Sequence, residues 1–489
     1  MRLEAKDIEQ IEQRDIEVSE VMQQLESFKQ GFQPVTLIRP ALVGDGITRL
    51  STESRDRLAG KYELEHRSYV VEKFVPASGA ATRMFKLLFE LLSTEKLDKP
   101  LAECVLETSE AQQFVSGLER FAFYEEWDAL GSICELDARS TLINLLETNG
   151  LGYGSKPKAL LAFHKEGGRS TSPLFTHALE ALAYGQSRLH FTISEEHRTA
   201  IEAELAALSK QNQWHLECTF SYQKPATDTL AVDLDNKVIR GATGELLFRP
   251  AGHGALLQNL NARKADFIFI KNIDNVCPLR SLEQHNYYKK VLGGLALEIT
   301  QELHRYQRLF DKDQASIDWL QLSDFLLKNF GLTLNISQAN CVSHARELLF
   351  RPIRICAMVP NENEPGGGPF WVRLNGQETL QIIESAQIDK ANTQQLEILN
   401  HSTHFNPVDM VVSRLDYQGR PYALNDFVDH SQVFIAQKSF AGQPIKALEL
   451  PGLWNGAMAH WNTLFVEVPA ETFNPVKTIL DLLKPSHQA

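Results

Sequence analysis

FVPASGAATRMFK, residues 74 to 86, is a stretch of small residues between an apolar run and a run with helical character. The preceding SYVVEKFVP predicts a buried strand, and TRMFKLLFELL predicts a helix. A strand that passes through a small-residue loop into a helix leaves several backbone N–H groups pointing into one concavity, where the helix dipole favours an anion. The stretch therefore predicts an anion-binding turn, with an ordinary tight strand-to-helix turn as the alternative.

Strands and helices alternate along the central part of the chain. LHFTIS, WHLECTFSYQ and ADFIFIKNIDNV predict strands, and EEHRTAIEAELAALSK predicts a helix between the first two. Several of these strands are apolar throughout, which is typical of a mostly parallel sheet covered on both faces. We therefore expect an α/β fold with a mostly parallel central sheet, helices on both faces, helical insertions and an α+β C-terminal part.

Composition narrows the class of protein. The 489 residues carry a net charge of −13, which argues against a protein that mainly binds nucleic acid or an anionic membrane. The first residues are charged and lack the apolar core of a secretory signal, and no apolar run is long enough to span a bilayer. The six cysteines are scattered without a CxxC pair, so we expect mostly buried, reduced thiols and a cytoplasmic location.

Two further segments suit phosphate or nucleotide binding. Lys156 and Lys158 flank Pro157 just before an apolar run, and lysine is a compact charge suited to phosphate. In RPAGHGALLQNL, residues 249 to 260, two glycines flank His253 at the start of a predicted helix. The alternatives are a solvated loop for the lysines and a structural histidine for the second turn.

Asp274 is the candidate metal ligand. FIFI predicts a central strand, and Asp274 follows at its C-terminal end, where ligands bind in open α/β sheets. A carboxylate beside phosphates is a Mg²⁺ ligand, although Asp274 could instead cap a turn. HSTH, residues 401 to 404, has zinc-like histidine spacing but no third ligand, so a loop is expected there. GLWNGAMAHWNTLF, residues 452 to 465, indicates interior packing or a domain contact.

Taken in order, these segments resemble the UDP-sugar pyrophosphorylases, the nucleotidyltransferases that join UTP to a sugar 1-phosphate, and especially the UDP-glucose branch. ASGAATR is similar to that family's GG-x-GT-R loop, Pro157-Lys158 to its Pro-Lys, PAGHG to its PGHG, and KNIDN to its SNIDN. GGGPFWVRLNGQETLQIIESAQI, residues 366 to 388, is similar to its GG-x-L-I followed by LLEIAQV, and FNPVKTILDLL, residues 473 to 483, to its FxPVKTxxDLL. The resemblance covers about residues 70 to 485. The chain also resembles a bacterial family of uncharacterised proteins of this length.

The resemblance implies a role for each matching residue. Asp274 is expected to bind Mg²⁺, and the catalytic cations are expected to be Arg83, Lys158 and Lys477. The expected nucleotide-binding residues are Ala77, Ser78, Gly79, Ala80, Ala81, Thr82, Gln223, Gly252, His253 and Gly254. The expected substrate-binding residues are Gly367, Gly368, Glu384, Thr403 and His404. Ser78 and Ala81 stand where the family has glycines, and Glu364-Pro365 stands where the glucose branch has a basic residue.

We therefore expect an enzyme that joins UTP or another nucleoside triphosphate to a sugar 1-phosphate and releases pyrophosphate. The alternatives are a non-catalytic nucleotide or nucleotide-sugar binding protein on the same fold, and an ATP-using phosphotransferase. The expected organisation is a helical segment at 1–66, a nucleotide-binding domain at 67–350 with helical insertions at about 90–150 and 281–345, and a sugar-phosphate-side part at 351–489. The sequence predicts neither the sugar nor the oligomeric state.

Overall fold

The computed structural model describes residues 3–79, 81–93, 96–361, 367–374 and 376–488. The α-helices within these ranges are α1 (Ala5–Glu12), α2 (Val18–Gln30), α3 (Thr52–Glu65), α4 (Lys86–Leu92), α5 (Ser109–Ser116), α6 (Tyr124–Asp128), α7 (Ala138–Leu146), α8 (Pro173–Ala183), α9 (Arg198–Asn212), α10 (Leu257–Asn261), α11 (Leu282–Lys312), α12 (Trp319–Phe330), α13 (Cys341–Leu349) and α14 (Thr393–Asn400).

The β-strands of the same ranges follow the predicted alternation with helices. They are β1 (Leu37–Pro40), β2 (Leu42–Val43), β3 (Gly46–Thr48), β4 (Val71–Pro76), β5 (His164–Glu166), β6 (Arg169–Thr171), β7 (Arg188–Thr192), β8 (Glu217–Ser221), β9 (Thr229–Val232), β10 (Phe248–Arg249), β11 (Phe267–Lys271), β12 (Ile353–Pro360), β13 (Gly367–Leu374), β14 (Gln377–Glu384), β15 (His404–Phe405), β16 (Asp409–Ser413), β17 (Phe434–Phe440), β18 (Gln443–Glu449) and β19 (Asn462–Glu467).

The chain divides into two compact units that are interleaved along the sequence. The first unit contains Met1–Asp56, Gln223–Ile268 and Leu292–Val468. The second unit contains Arg57–Tyr222, Phe269–Val291 and Pro469–Ala489, so the division falls within β11. The predicted domain ranges, 1–66, 67–350 and 351–489, stay predictions.

The second unit contains a parallel sheet. Strands β11, β4, β7 and β8 are adjacent in that order, and β4, β7 and β8 are parallel. In β4 every residue before Pro76 is buried, as expected for a strand covered on both faces. An apolar cluster of the second unit contains Phe85, the helical residues Trp127 and Leu142, and Ile479 near the C-terminus.

The first unit contains a mixed sheet and two smaller sheets. Strands β2, β3, β19 and β12 are neighbours in that order, and each neighbouring pair is parallel. Strand β16 is antiparallel to β12. The smaller sheets have the strand orders β1-β13-β14 and β10-β9-β18-β17. The N-terminal helices pack Ile11, Val21 and Leu25 against Leu230 and Phe248 of the second small sheet.

The predicted α/β class with a mostly parallel sheet and helices is confirmed. The helix predicted after the small-residue loop is shorter than expected, because a 3-10 turn at Ala81–Arg83 comes first and α4 begins only at Lys86. All six cysteines are free, and Cys134 is exposed rather than buried. Among the described residues, no helix combines the length and the apolar character needed to cross a membrane.

Candidate functional site

A buried carboxylate lies between two lysines in the second unit. Asp274 Oδ2 accepts hydrogen bonds from Lys158 Nζ at 2.9 Å and from Lys477 Nζ at 3.0 Å, and Oδ1 accepts from Lys477 Nζ at 3.2 Å. The side chains of Asp274 and Lys158 are 10% and 11% exposed, whereas that of Lys477 is 56% exposed. The set of two ammonium groups and one carboxylate therefore has a net positive charge.

The electrostatics of Asp274 follow from these neighbours. Burial opposes ionisation and so raises the pKa of the Asp274 carboxyl, but the charges of Lys477 and Lys158 outweigh burial, and the pKa is lowered overall. The carboxylate therefore stays ionised at neutral pH, and it holds both lysine side chains in place.

Backbone hydrogen bonds position the three side chains. Lys158 begins a 3-10 turn directly after Pro157, and its ammonium also donates to the Val476 carbonyl at 2.8 Å. Asp274 lies three residues beyond β11, and its carbonyl accepts the Val476 amide at 3.0 Å. The Asp481 carboxylate accepts the backbone amide of Lys477 at 2.8 Å and so fixes the chain at this residue.

Backbone hydrogen bonds connect the small-residue loop to the segments that carry Lys158 and Lys477. The Ala81 amide donates to the Lys156 carbonyl at 3.3 Å, and the Ile479 amide donates to the Met84 carbonyl at 3.0 Å. The loop, the Lys158 turn, the Asp274 turn and the Lys477 segment thus meet in the second unit. Segments that are far apart in the sequence therefore lie side by side, while the role of each residue stays a prediction.

The residues of the loop differ in whether their backbone groups already form hydrogen bonds within the protein. The Ala77 amide donates to the Thr192 carbonyl at 2.8 Å and the Ser78 carbonyl accepts from Ser194 Oγ at 3.1 Å, so both are engaged with protein. Gly79 and Thr82 are exposed, and Ala80 lies outside the described residues. The predicted amide cradle is therefore only partly open, because the Ala77 and Ala81 amides already have acceptors.

Arg83 is the loop residue that is best placed to meet an anion. Its side chain is exposed, and it makes no ion pair or hydrogen bond with any residue that the structure describes. A guanidinium without a carboxylate partner is available for phosphate.

In the first unit, the glycines of PAGHG have a packing role. A Cβ on Gly254 would lie 2.3 Å from the Pro451 carbonyl oxygen, and Gly252 has φ +77°. Both positions therefore require glycine for reasons internal to the protein. The close approach of the Pro451 backbone accounts for Gly254, and the positive φ accounts for Gly252, without a ligand.

His253 of the same turn has a defined tautomer. Its Nδ1 accepts the Leu453 amide at 2.9 Å, so the proton is on Nε2, which lies 3.3 Å from Glu384 Oε1 and donates to it. The ring stacks on Trp454 with centroids 4.1 Å apart and an interplanar angle of 9°. The structure thus brings a predicted nucleotide residue, His253, together with a predicted substrate residue, Glu384.

The β13–β14 hairpin gathers the other predicted substrate residues. Its register pairs Gly367 with Glu384, and the Gly367 carbonyl accepts the Asn406 amide at 2.9 Å. A Cβ on Gly368 would lie 3.4 Å from the His404 carbonyl oxygen, so this glycine packs beside the start of β15. Residues Gly367, Gly368, Glu384 and His404 are therefore neighbours within the first unit.

Thr403 and His404 belong to a hydrogen-bonded series. His404 Nδ1 lies 2.8 Å from Thr403 Oγ1, and His404 Nε2 lies 3.3 Å from Glu467 Oε1. The Glu467 carboxylate is in turn paired with Arg49, at 2.7 Å between Oε1 and Arg49 Nη2. His401 instead bonds the Glu397 carbonyl at 2.7 Å, so the two histidines of HSTH point to different partners.

Gln223 lies two residues after β8 and has an orphan donor. Its side-chain Nε2 is buried and has no hydrogen-bond partner among the residues that the structure describes. A buried amide nitrogen without an acceptor is costly, and a ligand carbonyl would satisfy it.

A family model for the "Domain of unknown function (DUF4301)" matches residues 4–488 of the chain. The chain belongs to the DUF4301 family. A comparison of this DUF4301 chain with curated proteins finds no match.

Solved structures are similar to the DUF4301 chain at low identity. The uridine diphosphate N-acetylglucosamine pyrophosphorylase from Trypanosoma brucei is 14% identical, with 95% of this chain and 74% of that chain covered and a TM-score of 0.47. The UDP-glucose phosphorylase from the same organism is 14% identical, with 99% and 80% covered and a TM-score of 0.46. The UDP-glucose pyrophosphorylase from Leishmania major is 14% identical, with 99% and 79% covered and a TM-score of 0.44.

The predicted Mg²⁺ ligand of the DUF4301 chain is a single carboxylate, that of Asp274. Nowhere in the described part of the chain do three or more His, Cys, Asp or Glu side chains form a metal-binding group. Among the described residues, Oδ1 of Asp274 accepts one hydrogen bond, at 3.2 Å from the ammonium of Lys477, whose side chain is 56% exposed. Because Mg²⁺ is often held by one carboxylate with water and phosphate oxygens, Asp274 fits Mg²⁺ in that mode.

Sequence reasoning missed several residues that the DUF4301 structure places beside the predicted ones. They are Trp454 beside His253, Glu467 and Arg49 beside His404, and His177 beside the Asp274 turn. Glu467 could have been found, because a carboxylate at the end of a buried strand is the signal that singled out Asp274. His177 lies inside a helix, where no local pattern distinguishes it from a core residue.

Proposed function

We propose that the chain is a nucleotidyltransferase that joins a nucleoside triphosphate, UTP in the first instance, to a sugar 1-phosphate with release of pyrophosphate. The observation that carries this proposal is the Lys158–Asp274–Lys477 group just beyond the C-terminal end of β11. Its net positive charge suits a polyphosphate. The order of the sequence motifs supports UTP and a sugar phosphate as the reactants.

The two lysines have different parts in this proposal. Lys158 also donates to the Val476 carbonyl, so it would stay fixed and contact phosphate from one position. Lys477 is the more exposed and would leave Asp274 to follow the phosphates. Both would offset the negative charge that grows on the leaving pyrophosphate, and Arg83 would hold the outer phosphates.

The bond changes are those of an in-line displacement. An oxygen of the sugar phosphate forms a bond to the α-phosphorus, and the bond from that phosphorus to the pyrophosphate oxygen breaks. No proton has to be removed, because a phosphate monoester dianion is already nucleophilic. Mg²⁺, held by Asp274 when bound, would supply further neutralisation of phosphate charge.

Base and sugar contacts are proposed for residues of the first unit. The unpaired amide nitrogen of Gln223 would donate to a uracil carbonyl, which explains its burial without a protein acceptor. Glu384 would accept from a sugar hydroxyl, with Gly367, Gly368, Thr403 and His404 beside it. His253 would contact the nucleoside from the PAGHG turn.

Pyrophosphate release from a panel of nucleoside triphosphates and sugar 1-phosphates tests the proposal. We expect release with UTP, and Lys158→Met should slow it at least about tenfold because a fixed charge at the reacting phosphates is lost. Lys165→Met is the matched control, since Lys165 pairs with Glu125 at the surface of the same unit.

The other outcomes of this panel each support an alternative. Binding of UTP without release would indicate a non-catalytic nucleotide-binding protein, and transfer from ATP alone would indicate a phosphotransferase. The cytoplasmic location and the absence of nucleic-acid and membrane partners stay predictions.

A further inference from the structure

Lys73, Glu180 and Lys271 form a buried ion cluster in the second unit, close to the Asp274 turn. Glu180 Oε2 accepts from Lys73 Nζ at 2.6 Å and Oε1 accepts from Lys271 Nζ at 2.7 Å, and all three side chains are 1% exposed. Lys73 lies in β4, just before the small-residue loop, and Lys271 ends β11, three residues before Asp274. The cluster therefore ties α8 to the two strands that lead into the proposed phosphate site.

His177 connects this cluster to the turn itself. The carbonyl of Ile273 can only accept, so His177 Nε2 donates to it across 3.2 Å. The carbonyl of His177 in turn accepts from Lys73 Nζ at 3.0 Å. Burial, with the charge of Lys73, holds the pKa of His177 well below its usual value, so the ring is neutral with its proton on Nε2.

Three hydrogen bonds thereby fix the backbone on both sides of Asp274. His177 holds the Ile273 carbonyl, the Pro76 carbonyl accepts the Ile273 amide at 3.2 Å, and the Val476 amide holds the Asp274 carbonyl at 3.0 Å. Because peptide units are planar, holding the carbonyls of residues 273 and 274 fixes the two planes that flank the Asp274 Cα. The direction of the Asp274 side chain follows from those planes.

We propose that His177 is a positioning residue for the phosphate site, which holds the peptide plane before Asp274 so that the carboxylate meets Lys158 and Lys477. The ion cluster holds the helix that carries His177. The effect on phosphate binding rests on the proposed function, whereas the effect on the turn does not.

Three variants separate positioning from simple core packing. His177→Leu removes the donor, and His177→Gln keeps an N–H donor on a side chain of similar length. His164→Leu is the control, because His164 is also a buried histidine of the second unit but bonds His487 at 2.9 Å. If the leucine variant does not fold, His177→Asn takes its place, since its amide is too short to reach the carbonyl.

Hydrogen–deuterium exchange of the Ile273 and Val476 amides is the first measurement, and calorimetric titration with inorganic pyrophosphate is the second. We expect His177→Leu to speed exchange at both amides and to weaken pyrophosphate binding about tenfold, as is typical when a supporting partner is lost. His177→Gln should stay within about threefold of the wild type in both measurements, since it restores the supporting bond. His164→Leu should leave both measurements unchanged.

Unchanged exchange at Ile273 and Val476 in His177→Leu, or an equal change in His164→Leu, would overturn the proposal. Failure of the wild type to bind pyrophosphate would instead count against the proposed function. The exchange measurement would still decide whether His177 positions the turn.

Discussion

Asp274 is a single side chain whose ionisation is coupled to folding. Its pKa is lower in the folded chain than in the unfolded chain, because the lysine charges outweigh the effect of burial. The carboxylate therefore stabilises the folded state at every pH above its unfolded pKa of about 3.9, and this contribution is lost as the pH falls through the lowered folded value.

Replacement of this carboxylate should consequently have a pH-dependent effect. Asp274→Asn should lower the free energy of unfolding at pH 7 by about 3 kcal/mol, because it leaves the Lys158 ammonium without its counter-charge. The deficit should shrink as the pH falls below about 4, because the carboxyl of the unfolded wild-type chain then takes up a proton before that of the folded chain does. Urea unfolding between pH 7 and pH 3 measures both effects, and a deficit that stays constant over this range would contradict the prediction. The exposed Asp235→Asn is the control.

Two glycines of the predicted nucleotide site should respond differently to substitution. A Cβ at Gly254 would meet the Pro451 carbonyl oxygen at 2.3 Å, whereas a Cβ at Gly79 would meet no described residue beyond its chain neighbours within 4 Å. Gly254→Ala should therefore destabilise the chain by about 1–3 kcal/mol, as is usual for overpacking. Gly79→Ala should leave stability unchanged, and it should weaken pyrophosphate binding if the loop contacts phosphate. Thermal unfolding and calorimetric titration of both variants distinguish a folding role from a binding role.

At the scale of secondary-structure elements, the ion cluster joins α8 to β4 and β11. Burial opposes ionisation of Glu180, but the charges of Lys271 and Lys73 outweigh it and hold the pKa of Glu180 well below its usual value. The carboxylate is thus the group that makes burial of two ammonium groups tolerable.

Removing that charge should loosen the packing of all three elements. Glu180→Gln should cost about 3–5 kcal/mol, because the two buried ammonium groups lose their counter-charge. Glu217→Gln, which breaks the exposed pair with Arg188, should cost less than about 1 kcal/mol. Urea unfolding of the two variants gives the comparison, and equal costs would show that the cluster contributes no more than a surface ion pair.

At the scale of the whole molecule, the second unit is assembled from three separate pieces of chain. The last piece, Pro469–Ala489, supplies Lys477 and the buried side chains Val476, Ile479, Leu482 and Leu483. Each such side chain contributes about 1.5–3 kcal/mol through burial, so together they rival the usual stability of a domain.

Truncation after Val468 should therefore unfold the second unit. Limited proteolysis should cut within Arg57–Tyr222 in the truncated chain and leave this range intact in the full chain. Truncation after Lys484 is the control, because it keeps all four apolar side chains. Equal resistance of the Val468 truncation and the full chain would show that the last piece is dispensable for folding.

The sequence by itself determined which segments form strands and helices, and in which order the candidate motifs follow one another. The buried run before Pro76 and the FIFI strand before Asp274 are local patterns, because the side chains that make them apolar lie within a few residues of each other. Lys158 and Asp274 could be selected in the same way, since the loop before one and the strand before the other are visible in the chain.

Only the tertiary structure decided which side chains meet. Asp274 and Lys477 are 203 residues apart and His253 and Glu384 are 131 residues apart, yet each pair is within hydrogen-bonding distance. The same holds for Gly254, whose need for glycine comes from the Pro451 backbone, and for His177, whose partner is a carbonyl 96 residues away. The physical reason is that hydrophobic periodicity depends on near neighbours, whereas the geometry of a buried charge depends on all the chain segments packed around it.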